Sequence, residues 1–450
     1  LKSINKILIA NRGEIALRVI RACKEMEIAS VAVYSDADKD SLHAKYADEA
    51  VNIGPPLSRK SYLNTENIIK AAKDKNADAI HPGYGFLSEN ESFAKACTEN
   101  GLIFIGPTAE CIAMAGNKSA ARKIITALGV PIIPGSNNVI SSPEEAVNIA
   151  QDVGYPVILK ASGGGGGRGM RIAHNKEELA EAISIASGEA RAAFGNPDLY
   201  LEKYIEKPRH IEIQILGDNF GNYVHLGERE CSIQMRYQKL IEESPSPFVD
   251  EALRNKLGET AILIARSIGY TNAGTMEFLV DSNKDFYFME LNARVQVEHP
   301  VTEMVTGIDI VQQQILIASG SELGFKQNDI RLNGWSMECR INAADPADNF
   351  MPSPGKIENL VLPGGPWVRL DTHIYNNYEV SPFYDSLIGK LVVWAKDRPM
   401  AIKRMQRALS EFQIEGIKVT TGFHEMVFQD TDFIKGNINT HFLEIFHGFV

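Results

Sequence analysis

Two acidic residues, Glu277 and Glu290, constrain the fold of this chain more than any other feature. They lie in two runs with strand character, Ala273–Val280 and Phe286–Asn292, joined by the turn-type stretch Asp281-Ser-Asn-Lys-Asp285. A hairpin folded about Asn283-Lys284 sets Met276 against Leu291, Phe278 against Met289 and Val280 against Tyr287, which makes one apolar face. The other face pairs Glu277 with Glu290 and Thr275 with Asn292. Directly opposed Cβ atoms lie only ~5 Å apart, and like charges there destabilise the pair. At an effective dielectric of ~20 the repulsion is on the order of 3 kcal/mol. A cation between the carboxylates relieves it. An all-oxygen set of two Glu and one Asn suits Mg²⁺ or Mn²⁺, ions that also take phosphate oxygens. The competing explanations are a register displaced by a residue or two, or a carboxyl that is protonated or solvated.

The rest of the chain looks globular. Its 450 residues suit roughly three domains, and no apolar run reaches the ~20 residues that a bilayer demands. No secretory signal precedes the strand-like run Lys6–Ala10. Five scattered cysteines, an odd number, speak against a disulfide framework or a CxxC zinc site and for a reducing cytosol. A net charge of -11 makes nucleic acid a poor bulk partner, but ATP phosphates are read locally.

Hydrophobic periodicity predicts an α/β and α+β chain. Lys6–Ala10, a helix over Glu14–Ile28 and Ser30–Tyr34 open a parallel βαβ unit that continues through Ala79-Ile80 and Ile103–Ile105. A helix over Ile112–Leu128 follows. Ser142 caps another, with Pro143 at its first position, and Asn175 a third, with Glu178 as its capping-box partner. In His210–Leu216, Ile211, Ile213 and Ile215 alternate with His210, Glu212 and Gln214, the pattern of a half-buried antiparallel strand with a polar face. A helix over Glu251–Ser267 precedes the two-Glu hairpin, and a mixed α/β piece ends the chain.

Between strands Val157–Ala161 and Met170–Ala173 runs Ser162-Gly-Gly-Gly-Gly-Gly-Arg-Gly169. A dinucleotide fingerprint needs a helix after the glycines, and here a strand follows. Five consecutive glycines are costly to order. The run therefore reads as a lid whose N–H groups close over phosphate, with Lys160 beside it as a point charge. Lys118, Glu202-Lys203-Tyr204 and the run Arg294 to His299 read in isolation as solvated surface charge.

Together these segments resemble the biotin carboxylase family of ATP-grasp enzymes. The matching strings are Ile9-Ala-Asn-Arg-Gly-Glu-Ile15, His81-Pro-Gly-Tyr-Gly-Phe-Leu-Ser-Glu-Asn90, Lys160 to Gly169, Glu290-Leu-Asn-Ala-Arg-Val-Gln-Val-Glu-His-Pro300, Glu338-Cys-Arg-Ile-Asn342 and Tyr384-Asp-Ser-Leu-Ile-Gly-Lys390. The resemblance implies an N-terminal domain over 1–115, an ATP-grasp domain over 116–330 with a lid at 131–203, and a C-terminal domain over 331–450. It implies that Lys118, Lys160, Gly165, Gly166, Glu202, Lys203, Tyr204, Ile205, His210, Gln234 and Tyr237 hold ATP, and that Glu277, Glu290 and Asn292 bind Mg²⁺ or Mn²⁺. Lys239, Arg294, Gln296 and the Val297 backbone would grip bicarbonate, and Glu298 would be its base, giving carboxyphosphate. Tyr84 and Arg340 would meet biotin, Arg340 stabilising its enolate. A biotin carboxyl carrier protein, carboxyltransferase subunits and a second copy of the chain are the implied partners.

Met235, Asn117 and Pro366-Trp367 depart from the family pattern. No A-M-K-M string that would carry biotin is present, so the chain resembles a separate subunit or one domain of a larger carboxylase. The rival readings are another ATP-grasp carboxylate–amine ligase and a catalytically weak nucleotide-binding regulatory subunit.

Overall fold

The structure, a computed structural model, describes residues 3–136, 138–161, 170–194, 197–236, 238–444 and 446, with 118–120 and 193–194 described by their backbone alone. At the N-terminus β1 (Lys6–Ile9), β2 (Ala29–Tyr34), β3 (Glu49–Asn52), β4 (Ala79–His81) and β5 (Ile103–Phe104) form a parallel sheet in the order β3-β2-β1-β4-β5. β1 and β2 are apolar and almost wholly buried, as parallel strands covered on both faces must be. The helix that follows β1 covers Gly13–Glu25 and stops three residues short of the expected end, at left-handed Glu27. The loops after β1 and β4 meet: Asn11 Nδ2 donates to the carbonyls of Pro82 and Tyr84, each at 2.7 Å. Tyr84 and Glu89 therefore stand at the carboxyl ends of the strands, where open α/β sheets bind ligands.

The single helix expected over Ile112–Leu128 is two helices, Ala109–Gly116 and Lys118–Ala127, broken at Asn117. Adjacent Gly and Asn, both weak helix formers, give the break its place. A smaller antiparallel sheet follows, β6 (Val157–Ala161), β7 (Met170–Ala173) and β8 (Leu199–Lys203), ordered β7-β6-β8. Helices Pro143–Val153 and Lys176–Phe194 supply alanines and Leu179 to the core it shares with them. Their caps form as the sequence indicates: Glu145 N donates to Ser142 Oγ at 3.2 Å and Glu178 N to Asn175 Oδ1 at 2.9 Å. The glycine run, with Gly165 and Gly166, lies outside the described residues.

The site is built on an eight-stranded sheet. Its order starts with β13 (Phe286–Asn292), β12 (Asn272–Val280), β9 (Arg209–Gly217), β10 (Tyr223–Met235), β11 (Gln238–Ser244) and β14 (Trp335–Asn342), and ends with Leu387–Ala395 and Val368–Thr372. The C-terminal piece is thus continuous with the central sheet: β11 pairs β14, placing Glu242 against Glu338. Ile211, Ile213, Ile215, Met276 and Phe278 pack on one face with helix Glu251–Ser267, and Met337, Cys339 and Ile341 join the core formed with helix Arg398–Glu411. The polar side chains go to the other face. β9 is buried on both faces rather than half-buried, with Glu212 and Gln214 at 0% exposure.

The hairpin pairs Glu277 with Glu290, Thr275 with Asn292 and Met276 with Leu291. Nearer the turn the expected pairs are wrong. Phe278 faces Phe288 and Val280 faces Phe286, because a bulge inserts Met289 opposite the Glu277/Phe278 step. The bulge leaves Met289 exposed and turns Phe288 into the core beside Phe278. Among the described residues no helix is long and apolar enough to cross a membrane.

Candidate active site

Register lines up four charged residues on adjacent strands: Glu290 of β13, Glu277 of β12, Glu212 of β9 and Arg229 of β10. Three neighbouring carboxylates on a buried face demand cations. Arg229, 0% exposed, bonds Glu212 through Nε and reaches Gln214 Oε1 at 2.8 Å, Thr302 Oγ1 at 3.0 Å, Thr275 Oγ1 at 3.1 Å and Gln296 Oε1 at 2.9 Å. Lys239 is the second cation. Its Nζ lies 2.6 Å from Glu212, 2.9 Å from Glu277 and 2.6 Å from Glu298. Burial alone would strip its proton, but those three carboxylates outweigh it and hold the ammonium well above the ordinary lysine range. A register shift between Ile233 and Gln234 gives β11 an extra residue, so Lys239 and Glu242, three apart in sequence, both reach this face.

Glu298 sits at the N-terminal end of helix His299–Thr306, yet its side chain does not cap that helix. It accepts from Lys239 on Oε1 and from Arg340 on Oε2, the latter at 2.9 Å. Burial pushes the carboxyl up, but Lys239, Arg340 and Arg229 hold it well below the usual carboxylate range. It is a buried, ionised carboxylate with a cation on each oxygen. Arg340 in turn donates Nε to Glu242 Oε1 at 2.6 Å.

The neighbouring loop is pinned from two sides. Arg294 donates to Glu89 at 2.8 Å and to Asn292 Oδ1 at 3.1 Å, and Ala293 N bonds the other Glu89 oxygen at 3.0 Å. Gln296 donates to Glu277 at 2.8 Å while accepting from Arg229. The Val297 carbonyl accepts from Lys390 Nζ at 2.9 Å, and Lys390 lies 3.2 Å from Glu14, to which the Tyr84 hydroxyl donates. Tyr84 and Arg340 therefore flank the Val297–Glu298 corner through one chain of contacts.

Among the residues expected to hold ATP, Glu202 gathers Lys160 at 2.6 Å, and it also accepts from Arg122 at 3.1 Å. Burial raises its carboxyl, and Lys160 and Arg122 more than reverse that. Strand alternation turns Lys203 away: its ammonium donates to the carbonyls of Gly154 and Tyr155 at 3.0 and 2.8 Å. The Lys203 ammonium is thus committed to those two carbonyls. The Tyr204 hydroxyl bonds His441 at 2.7 Å. His210 links the two halves: Nδ1 contacts Gln234 Nε2 at 2.8 Å and Nε2 lies 2.9 Å from Glu277 Oε2. The Lys118 side chain and Tyr237 lie outside the described residues.

Glu277 and Glu290 oppose each other across the hairpin, and the Asn292 amide donates to Glu277 Oε1 at 2.9 Å. Burial raises Glu277, but Lys239 and His210 hold it well below the usual range. Two carboxylates and an amide oxygen on one face suit a hard divalent cation. Three further groups were not legible as site residues in sequence: Arg229, Glu89 and Glu242. Glu89 lies within the matching His81–Asn90 string; only the sheet order brings it and the others to the site.

Three family models match the chain: "Biotin carboxylase, N-terminal domain" over residues 3–112, "Carbamoyl-phosphate synthase L chain, ATP binding domain" over 117–326 and "Biotin carboxylase C-terminal domain" over 338–445. A biotin carboxylase of Nostoc sp. is 55% identical over 440 residues, covering 98% of this chain and 98% of that protein. A crystal structure of a Campylobacter jejuni biotin carboxylase–β-γ-ATP complex superposes with TM-score 0.93 at 53% identity, covering 98% of this chain and 99% of that one. The biotin carboxylase domain dimer of Hydrogenobacter thermophilus 2-oxoglutarate carboxylase, in complex with MgADP, ADP and bicarbonate, gives 0.92 at 50% identity, covering 99% and 98%. With matches of this identity along nearly its whole length, the chain belongs to the biotin carboxylase family.

Proposed function

We propose that this chain carries out the ATP- and bicarbonate-dependent carboxylation of biotin held on a carrier protein, the first half-reaction of a biotin-dependent carboxylase, and that Glu298 is its base. The observation that carries this reading is the ionised Glu298 carboxylate, set between Lys239 and Arg340 and beside Arg294 and Gln296. Bicarbonate enters against Lys239, Arg294, Gln296 and the Val297 backbone, a cationic wall suited to a planar oxyanion. Glu298 takes its proton, and the bicarbonate oxygen attacks the γ-phosphate of ATP to give carboxyphosphate and ADP. The C–O bond of carboxyphosphate then breaks to give carbon dioxide and phosphate, the phosphate takes the ureido N–H proton of biotin, and Arg340, with Tyr84 on the same side, faces the negative charge on the biotin enolate as its nitrogen bonds the carbon dioxide. Positioning and charge stabilisation supply the catalysis, as phosphoryl transfer requires.

Glu277, Glu290 and Asn292 would hold Mg²⁺ or Mn²⁺, which when bound neutralises phosphate charge. Lys160, Glu202, Lys203, Tyr204, Ile205, His210 and Gln234 would line the ATP site, with Lys118, Tyr237 and a lid containing Gly165 and Gly166 completing it. The division 1–115, 116–330 and 331–450 draws support from the three family matches, and the proposed lid spans 131–203. The carrier protein, carboxyltransferase subunits and a second copy of the chain are the proposed partners. Five free, buried thiols support a reducing cytoplasm as the compartment. The test is ATP-dependent fixation of ¹⁴C-bicarbonate onto free biotin or a biotinylated carrier; bicarbonate-dependent ATP cleavage without labelled carboxybiotin would point to a different ATP-grasp ligase.

A further inference from the structure

A second pair of directly opposed glutamates lies behind Arg340. Glu242 of β11 and Glu338 of β14 are register partners on antiparallel strands, and both are 0% exposed. Their side chains share the face that carries Arg340, two residues beyond Glu338, while Met337, Cys339 and Ile341 point to the core. Glu242 uses one oxygen for Arg340. Among the described residues, no donor reaches its other oxygen or either oxygen of Glu338. The nearest cation from the next strand, Lys390, is committed to Val297 and Glu14.

Two ionised carboxylates cannot stand there. An unpaired buried charge costs several kcal/mol, and such a group neutralises instead. Burial pushes Glu338 well above the ordinary range and Glu242 to about 7, with Arg340 pulling the latter back. One hydrogen on Glu338, donated to the open oxygen of Glu242, gives a partner to both carboxyls.

We propose that Glu338 is a carboxylic acid that positions Arg340: it donates to Glu242, Glu242 accepts from the guanidinium, and the guanidinium is thereby aimed at Glu298 and the biotin side. The chain Glu338–Glu242–Arg340–Glu298 crosses from β14 to β11, back to β14 and out to the loop before helix His299–Thr306. The charged groups around Glu338 are Glu242 on β11, Arg340 on β14, Lys390 on Leu387–Ala395, and Glu298, with Lys239 acting on Glu242. With Glu338 neutral, the opposed pair behind Arg340 carries one negative charge rather than two, and that one is matched by the guanidinium. Glu338 is a positioning residue; it touches no reacting atom. This inference rests on the roles proposed above for Arg340 and Glu298.

The test has two arms. Infrared difference spectra of wild type against Glu338→Gln at neutral pH read the proton directly. A protonated-carboxyl C=O stretch, shifted in D2O, is expected in wild type and missing in the variant; its absence from the difference would overturn the proposal whatever the enzyme's reaction. The second arm measures phosphate release and labelled carboxybiotin in one sample. Glu338→Leu, similar in size and unable to donate, should raise the ratio of phosphate to carboxybiotin at least about tenfold, the scale of losing a partner that orients a functional side chain. Glu338→Gln keeps an N–H donor for Glu242 and should restore most of that loss. A wild-type ratio in Glu338→Leu, or equal damage in both variants with unchanged melting temperatures, would overturn the positioning role. If wild-type protein formed no carboxybiotin at all, the proposed reaction would fail, and the infrared arm would still report on the proton.

Discussion

Arg340 reaches Glu298 at 2.9 Å on the one oxygen that Lys239 leaves open. The two cations come from different parts of the chain, Lys239 from β11 and Arg340 from β14. They meet only because those strands pair. This arrangement keeps the Glu298 carboxylate ionised and places the residue proposed to meet biotin in contact with the residue proposed to act on bicarbonate.

Glu298→Gln keeps the size and loses the base. Bicarbonate-dependent phosphate release and carboxybiotin formation should fall together, by roughly 10²–10⁴-fold, the usual worth of a general base. Retained ATP cleavage would move the base elsewhere. Glu303 is poorly placed for that part, since it is engaged by Arg18 and Arg369.

Arg340→Ala should separate the half-reactions. In the proposed role, the enolate charge that Arg340 stabilises appears only after carboxyphosphate has formed, and Lys239 still holds Glu298 ionised, so carboxyl transfer should drop strongly while substantial bicarbonate-dependent ATP cleavage persists. Proportional loss of both activities would assign Arg340 to the bicarbonate or phosphate site.

Glu290→Gln removes one carboxylate from the opposed pair. The Mg²⁺ concentration needed for half-maximal turnover should rise and turnover should fall, since the ion keeps fewer anionic ligands. Wild-type metal dependence in this variant would contradict the two-carboxylate site.

Arg229→Met should destabilise the protein severely. The substitution leaves Glu212 with Lys239 as its one cation and strips Gln214, Thr275, Gln296 and Thr302 of a donor. Removing one member of a buried ion pair costs about 3–5 kcal/mol, which urea denaturation reads as a lower midpoint. A midpoint like that of wild type would show that Glu212 neutralises without Arg229.

His43 offers a pH signal remote from the site. It is buried beside Ser41 and the Val33 carbonyl, and burial lowers it to about 4. The unfolded chain binds that proton near the ordinary value of about 6.5. Wild type therefore loses stability relative to His43→Gln as pH falls from about 6.5 to about 4, at roughly 1.4 kcal/mol per pH unit. The comparison is made between the two proteins because buried carboxyls pushed upward, Glu230 and Glu338 among them, act in the opposite direction on both. Parallel stability curves would show that His43 is protonated in the fold.

The sequence by itself determined the local grammar of this protein: the caps at Ser142 and Asn175, helix Glu251–Ser267, the alternation of β9 and the opposition of Glu277 to Glu290. Each depends on residues close along the chain, so spacing and side-chain chemistry suffice to specify it. The matching strings carried the family as well. Only the tertiary structure decided the bulge at Met289, the turning of Lys203 toward Gly154 and Tyr155, and the merging of the C-terminal strands with the central sheet. The same holds for Arg229 as the hub of the acidic row, Glu89 as the anchor of Arg294 and Glu242 as the support of Arg340. Those contacts join residues tens to hundreds of positions apart. Sheet order and register bring them together, and neither is written in the periodicity of any one strand.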